Sequence, residues 1–247
     1  MPSKKFFSAL NEVLDKIGET QDTTIEKVAT WAADAIAADR FAILFGTGHS
    51  FLVTADAFPR IGAYPGWLPL HELSTSYIVS LLGNQGIRQM LYLENLEGFA
   101  HIVMQNYRLD AKDLMIVISH SGVHAMGIDY ALIAKEQGLK TVAITSTAQS
   151  KSSKVRHSSG KRLFEVCDVV IDTCVPAGDA LVEVPGFSYK VASASTIAAC
   201  AIMQALMAET AQKLASKGVT LPQISHDKEM LTASIAEHAR RVAGIYK

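Results

Sequence analysis

Phe41-Ala42-Ile43-Leu44-Phe45-Gly46-Thr47-Gly48-His49-Ser50 is the stretch on which the fold turns. Five apolar residues run without a polar break, as a parallel strand covered on both faces requires. They pass straight into two glycines and a serine. Gly46 and Gly48 let the backbone turn tightly and approach an anion, and a helix opening behind them directs N–H groups and a positive dipole end at it. A dinucleotide fingerprint would want glycine or alanine at position 51; Phe51 stands there, although Glu72 follows near the ribose-binding offset.

Similar short runs recur at Leu114–Ile118, Thr141–Thr145 and Val169–Asp172, with a weaker one at Leu68–Glu72. Helical stretches such as Gly127–Gln137 separate them. Strands alternating with helices predict a doubly wound α/β fold with helices on both faces of a five-stranded parallel sheet, order 2-1-3-4-5. That order puts a switch point between the first and third strands, beyond whose carboxyl ends ligands bind. Ser119-His120-Ser121-Gly122 lies at the far side of that point. Hydroxyls and amides there can share one phosphate with the Gly46–Ser50 loop. The two serines also suit turn and N-cap positions.

Around this centre, residues 1–40 read as an N-terminal helical arm and 41–247 as the ligand-binding domain. Phe6, Leu10, Val13, Leu14 and Ile17 keep helical spacing up to Gly18, which is expected to end a first helix. Thr23 and Glu26 form a capping box for a second. Residues 147–162 are polar and Ser-rich and read as an exposed loop. Leu181–Val184 and Phe187–Val191 flank a Pro185-Gly186 turn, predicting a hairpin. Long apolar helix character follows from Ser195 to Lys213, and a last helix from about Asp227 to Val242.

Of the 247 residues, 49% are hydrophobic and 19% charged, which is ample for one such core, and the net charge of −1 offers no field for nucleic acid or an anionic membrane. The first 40 residues are too poor in basic side chains for a DNA-reading helix. Three scattered cysteines, 167, 174 and 200, make neither a disulfide framework nor a zinc site. No apolar stretch reaches the ~18 residues of a membrane span. The expectation is a cytoplasmic protein with no metal.

Gly46-x-Gly48-x-Ser50 and Ser119-x-Ser121-Gly122, each following a strand, resemble the SIS (sugar isomerase) domain of phosphosugar isomerases and phosphosugar-binding regulators. Thr145-Ser146, Leu163 to Asp172, and Ser195-Thr196 at the start of the late helix fit the same pattern. His157-Ser158-Ser159-Gly160-Lys161-Arg162-Leu163 is similar to a small group of bacterial SIS proteins, some labelled phosphoheptose isomerases. The resemblance implies a sugar phosphate ligand, paired subunits (a homodimer or a dimer of dimers) and no cofactor. It assigns phosphate binding to Gly46, Gly48, Ser50, Ser119, Ser121 and Gly122. Two departures stand out. Many SIS domains carry a threonine shortly after the second serine loop, where this chain has Val123, His124, Ala125 and Met126. Phosphoheptose isomerases place a glutamate about ten residues past the first loop serine, where this chain has Arg60.

Aldose–ketose isomerisation through an enediol needs a carboxylate base and an acid, often histidine. Glu72, at the end of its strand beside the cleft, ranks first as base; Asp56, two turns along a helix from His49, ranks second. His49 is a candidate acid or phosphate contact, with His124 and His226 behind it. His120, between two serines, is expected to point away. Lys190, Ser195 and Thr196 are candidate substrate contacts. An isomerase is the leading reading, a non-catalytic phosphosugar sensor the second, and a lyase or etherase of amino-sugar phosphates the third.

Overall fold

A computed structural model describes residues 1–71 and 86–247. In chain order the described elements are α1 (Pro2–Ala37), β1 (Ala42–Gly46), α2 (His49–Ala57), β2 (Trp67–Pro69), α3 (Gly86–Leu93), α4 (Phe99–Met104), β3 (Leu114–Ile118), α5 (Ala125–Glu136), β4 (Lys140–Thr145), α6 (Thr147–Ser152), α7 (Leu163–Val166), β5 (Val169–Asp172), β6 (Ala180–Val182), β7 (Val191–Ser193), α8 (Ser195–Ser216) and α9 (Lys228–Ala243). β1 to β5 form one sheet in the order β2-β1-β3-β4-β5, every pair parallel. The doubly wound expectation holds, and with it the switch point between β1 and β3.

The period-2 alternation of the strands sorts the core into two halves. Ala42, Leu44, Ile116, Ile118, Val142, Ile144 and Ile171 face one side, against α1, α2 and α8. Ile43, Phe45, Met115, Val117 and Ala143 face the other, against α4, α5 and α7. Both faces are covered, which is why the strands read as unbroken apolar runs.

The N-terminal region departs from expectation. One helix of 36 residues replaces the two foreseen. Leu10, Val13, Ile17, Ile25, Val28, Ala32 and Ile36 form one buried stripe that stays in phase across Gly18. A mid-helix glycine costs roughly 1 kcal/mol, while each buried aliphatic side chain contributes about 1.5–3 kcal/mol, so the stripe carries the helix through. Val28, Ala29, Ala32 and Ala33 are fully buried, and small residues there let α1 and α8 pack closely. Arg241 of α9 secures the C-terminal end of α1, donating to Ile36 O at 3.1 Å.

Residues 147–162 are not all loop, because Ser146 caps α6 by accepting from Gln149 N at 3.1 Å. The hairpin is present as β6 and β7, paired Ala180 with Ser193 and Val182 with Val191. Its strands therefore lie further apart in sequence than the Pro185-Gly186 turn suggested. β2 is shorter than the predicted Leu68–Glu72 run: it ends at Pro69, which cannot donate to a ladder and suits a sheet edge. Glu72 lies outside the described residues. No described helix is long and apolar enough to cross a membrane.

Candidate functional site

Gly46 closes β1 where nothing larger fits. A Cβ there would stand 2.6 Å from Ser50 O, so the first turn of α2 rests directly on the strand end. Gly48 follows with φ of 54°, in the left-handed region that favours glycine, and caps α2. Ser50 N donates to Thr47 O at 3.0 Å and Phe51 N to Gly48 O at 3.2 Å, which tightens the turn.

The loop after β3 is built the same way. Ser119 Oγ accepts from Gly122 N at 3.1 Å. Gly122 has φ of 59°, and a Cβ on it would lie 2.9 Å from Thr145 Oγ1. Thr145 Oγ1 and Ser146 N both donate to His120 O, at 3.2 and 3.1 Å. Thr145 and Ser146, fully buried, thus hold the serine loop from behind. At the third corner, Asp179 accepts from Ala194 N and Ser195 N and from Ser195 Oγ, at 3.0, 2.7 and 2.8 Å, which fixes the start of α8.

These corners enclose a cavity of about 360 Å³ beyond the carboxyl ends of β1 and β3. Thr47 to Ser50 line it from one side, Ser119 to Ser121 from another, and Ser195 with Thr196 from a third. The structure therefore brings together Gly48, His49, Ser50, Ser119, Ser121, Ser195 and Thr196, with Gly46 and Gly122 shaping the backbone behind them. Asp56 does not join them. It lies on the side of α2 turned to α8, where Arg60 and Gln204 Nε2 bind its carboxylate. Lys190 sits exposed in the β6–β7 hairpin, 3.8 Å from Glu183, and does not line the cavity. His226 does not line it either.

One cavity residue, Glu94, had no local signal in the sequence, whereas His124 beside it was a candidate acid. Glu94, just past α3, is only 6% exposed yet presents its carboxylate to the cavity. Thr47 Oγ1 donates to Glu94 Oε2 at 3.1 Å. His124 Nδ1 lies 3.1 Å from Glu94 Oε1 and 3.1 Å from Asn95 Oδ1. Burial pushes the Glu94 carboxyl above its usual range, against the Thr47 bond and the Arg156 charge, which pull it down. Burial, helped by Arg156, pushes His124 down to about 4. At neutral pH the imidazole is therefore uncharged. Nδ1 pairs with Asn95 Oδ1 in a hydrogen bond, and Glu94 Oε1 stands beside it as a close neighbour.

His120 belongs to the cavity wall. Both ring nitrogens are buried and have no hydrogen-bond partner among the described residues. Burial lowers its pKa, against the Asp179 charge, which raises it. Among the described residues, no three His, Cys, Asp or Glu side chains converge as a metal site.

Comparison with known proteins agrees with this architecture. The family model described as SIS domain matches residues 5–146. A UPF0309 protein of Geobacillus kaustophilus is 34% identical over 218 residues, covering 88% of this chain and 84% of that protein. In fold, the chain is similar to a phosphoheptose isomerase from Neisseria gonorrhoeae, with a TM-score of 0.55 and 15% identity over 83% of this chain and 95% of that one. It is also similar to the sugar isomerase domain of an RpiR transcription factor from Sphaerobacter thermophilus, with a TM-score of 0.51 and 18% identity over 97% and 96%. A family match over more than half the chain, on the sheet order and paired strand-end loops described above, makes this protein a member of the SIS domain family, alongside the UPF0309 proteins.

Proposed function

We propose that the cavity binds a sugar phosphate and that the protein interconverts an aldose and a ketose phosphate through an enediol, with Glu94 as the base. One observation carries this reading: a buried carboxylate of raised pKa is hydrogen-bonded to the very loop that offers Gly48 and Ser50 to a phosphate. The phosphate takes hydroxyls and amides of Ser50, Ser119 and Ser121 and the N-terminus of α2, each charge-assisted bond contributing about 1.5–3 kcal/mol. Anchored there, the sugar extends toward Glu94 and His124. Glu94 takes the C2 proton of the aldose and returns it to C1. The accompanying O1/O2 proton shift falls to a histidine of the cavity wall, His49 or His120. Burial raises Glu94 toward the working pH, which favours such a proton shuttle.

The fold is shared with a transcription factor's sugar isomerase domain. That supports a second reading, in which the same pocket senses a phosphosugar without turning it over. Incubation with a panel of aldose and ketose phosphates in deuterated water, followed by NMR, separates the two. Deuterium at C1 or C2 marks the isomerase; binding without exchange marks the sensor; absence of binding sinks both. The same family reading takes the protein as a homodimer or a dimer of dimers. Leu52 of α2 and Leu91 and Tyr92 of α3, exposed close to the cavity, offer apolar surface for it. Light scattering at micromolar concentration tests this assembly, and a monomer refutes it.

A further inference from the structure

We infer that the turn His157-Ser158 is a clasp that positions the Glu94 carboxylate at the cavity wall, an inference resting on the reading of Glu94 as the base. The need for a clasp follows from how weakly the segment holds itself. In α3 only Gly86 is buried, while Ile87, Leu91 and Tyr92 are exposed. Among the described residues, the helix leading to Glu94 meets the core through Leu93 and holds the Glu94 carbonyl through Met126 N at 3.0 Å, which leaves the carboxylate to be fixed from elsewhere.

Much of the fixing comes from the residues just after Glu94, and it converges on residues 156–158. Glu97 accepts from Ser158 N at 2.7 Å and from Ser158 Oγ at 2.5 Å. Gly98 N donates to Asp129 Oδ2 at 2.8 Å. Asp129 Oδ1 in turn lies 3.0 Å from His157 Nε2. His157 Nδ1 accepts from Ser159 N at 3.0 Å, so Nε2 carries a proton and points it at Asp129. Both members of that pair are buried, with side chains 7% and 6% exposed. Asn95 Oδ1 faces Arg156 at 3.5 Å as well as His124.

The other side of the clasp grips the ligand loops. Arg156 N donates to Val123 O at 3.2 Å and Leu163 N to Gly122 O at 2.9 Å. One short stretch therefore ties the serine loop after β3 to the segment bearing Glu94, and the distance between phosphate and carboxylate passes through it. Glu97, His157 and Ser158 are positioning residues: none lines the cavity. The charged and titratable groups facing Glu94 are His124 from the start of α5 and Arg156 from the clasp, with Thr47 as its hydroxyl donor; His49, His120 and Asp179 share the cavity wall.

The test uses the full chain with ¹³C-labelled glutamate carboxyls, the Glu94 signal being assigned by Glu94→Gln. Glu97→Ala and Ser158→Ala each release the segment and admit water, so the Glu94 titration midpoint falls toward the ordinary carboxylate value. If the parent turns over a sugar phosphate, kcat drops about 10- to 100-fold, as a displaced catalytic group predicts, with KM within about two-fold, and the acid limb of its pH profile moves down with Glu94. Ser158→Thr, which keeps the hydroxyl, behaves like the parent. Glu97 and Ser158 are exposed, so both alanine variants fold. An unmoved Glu94 midpoint in both overturns the clasp. If the parent shows no turnover, the isomerase reading fails, and the carboxyl titration still decides the clasp.

Discussion

The hydroxyl of Thr47 donates to Glu94 Oε2 across 3.1 Å, joining the loop after β1 to a carboxylate 47 residues further along the chain. The bond lowers the pKa that burial raises. Thr47→Val removes it, so Glu94 holds its proton to higher pH and the acid limb of turnover shifts upward. Glu94→Gln removes the base itself and cuts turnover by ~10²–10⁴ while affinity changes little. Steady-state kinetics across pH 4–9 (roughly the accessible range) reads both effects. A static acid limb in Thr47→Val together with normal turnover in Glu94→Gln sinks the assignment.

Ser121 lines the cavity on a half-buried strand-end loop and adds little to the core. Ser121→Ala is expected to weaken sugar phosphate binding by ~1.5–3 kcal/mol, the usual loss for one charge-assisted bond. Calorimetric titration measures it, and the thermal midpoint should hardly move. Unchanged affinity would place the phosphate elsewhere.

Gly46→Ala tests the close approach of strand and helix. Its Cβ would meet backbone atoms of Ser50 at 2.6 and 2.8 Å, and backbone cannot swing aside as a flexible side chain does. Overpacking of this kind costs about 1–3 kcal/mol, and the displaced α2 should lose ligand affinity as well. Urea denaturation reads the stability, calorimetry the binding; a parent-like protein in both would contradict the geometry.

His124 supplies a pH dependence of stability. Its pKa is depressed to about 4 in the folded protein, against an ordinary 6.5. Between those values the unfolded chain takes up a proton that the folded one refuses, so stability falls as pH drops from about 6.5 to about 4. Burial lowers His71, His120 and His238 too, adding in the same direction. The raised Glu94 carboxyl works oppositely, since its stabilising neutral form returns as pH falls. His124→Asn isolates the one contribution: denaturation midpoints measured from pH 7 to 4 should decline less steeply than in the parent.

What could be read in advance follows the range of the forces involved. Leu114–Ile118 and Val169–Asp172 appear in the structure with the same ends, because a fully buried strand such as the former is an apolar run stopped by the first serine, and the edge strand keeps the same short β-branched run up to Asp172. The turns at Gly46 and Gly122 were legible for a similar reason: the steric demand on a glycine is local. Glu94 was not. It stands in the polar run Glu94-Asn95-Leu96-Glu97, which resembles any solvated helix end, and only the approach of Thr47 and His124 makes it distinctive. Gly18 misled because local propensity is small beside a stripe of buried side chains whose partner, α8, lies far along the chain.

The pairing of α1 with α8 also bears on how the protein is made. More than 150 residues separate the two helices, so α1 leaves the ribosome long before the surface that covers it exists. Its stripe of leucine, valine, isoleucine and alanine must wait, exposed or loosely shielded by the growing sheet, through the synthesis of the five strands and the helices between them. Contacts that close so late slow folding and leave apolar surface open to aggregation. Slow translation or chaperone depletion should therefore lower the yield of folded protein more than its equilibrium stability would suggest, and a permuted chain that places α8 next to α1 should relieve the dependence.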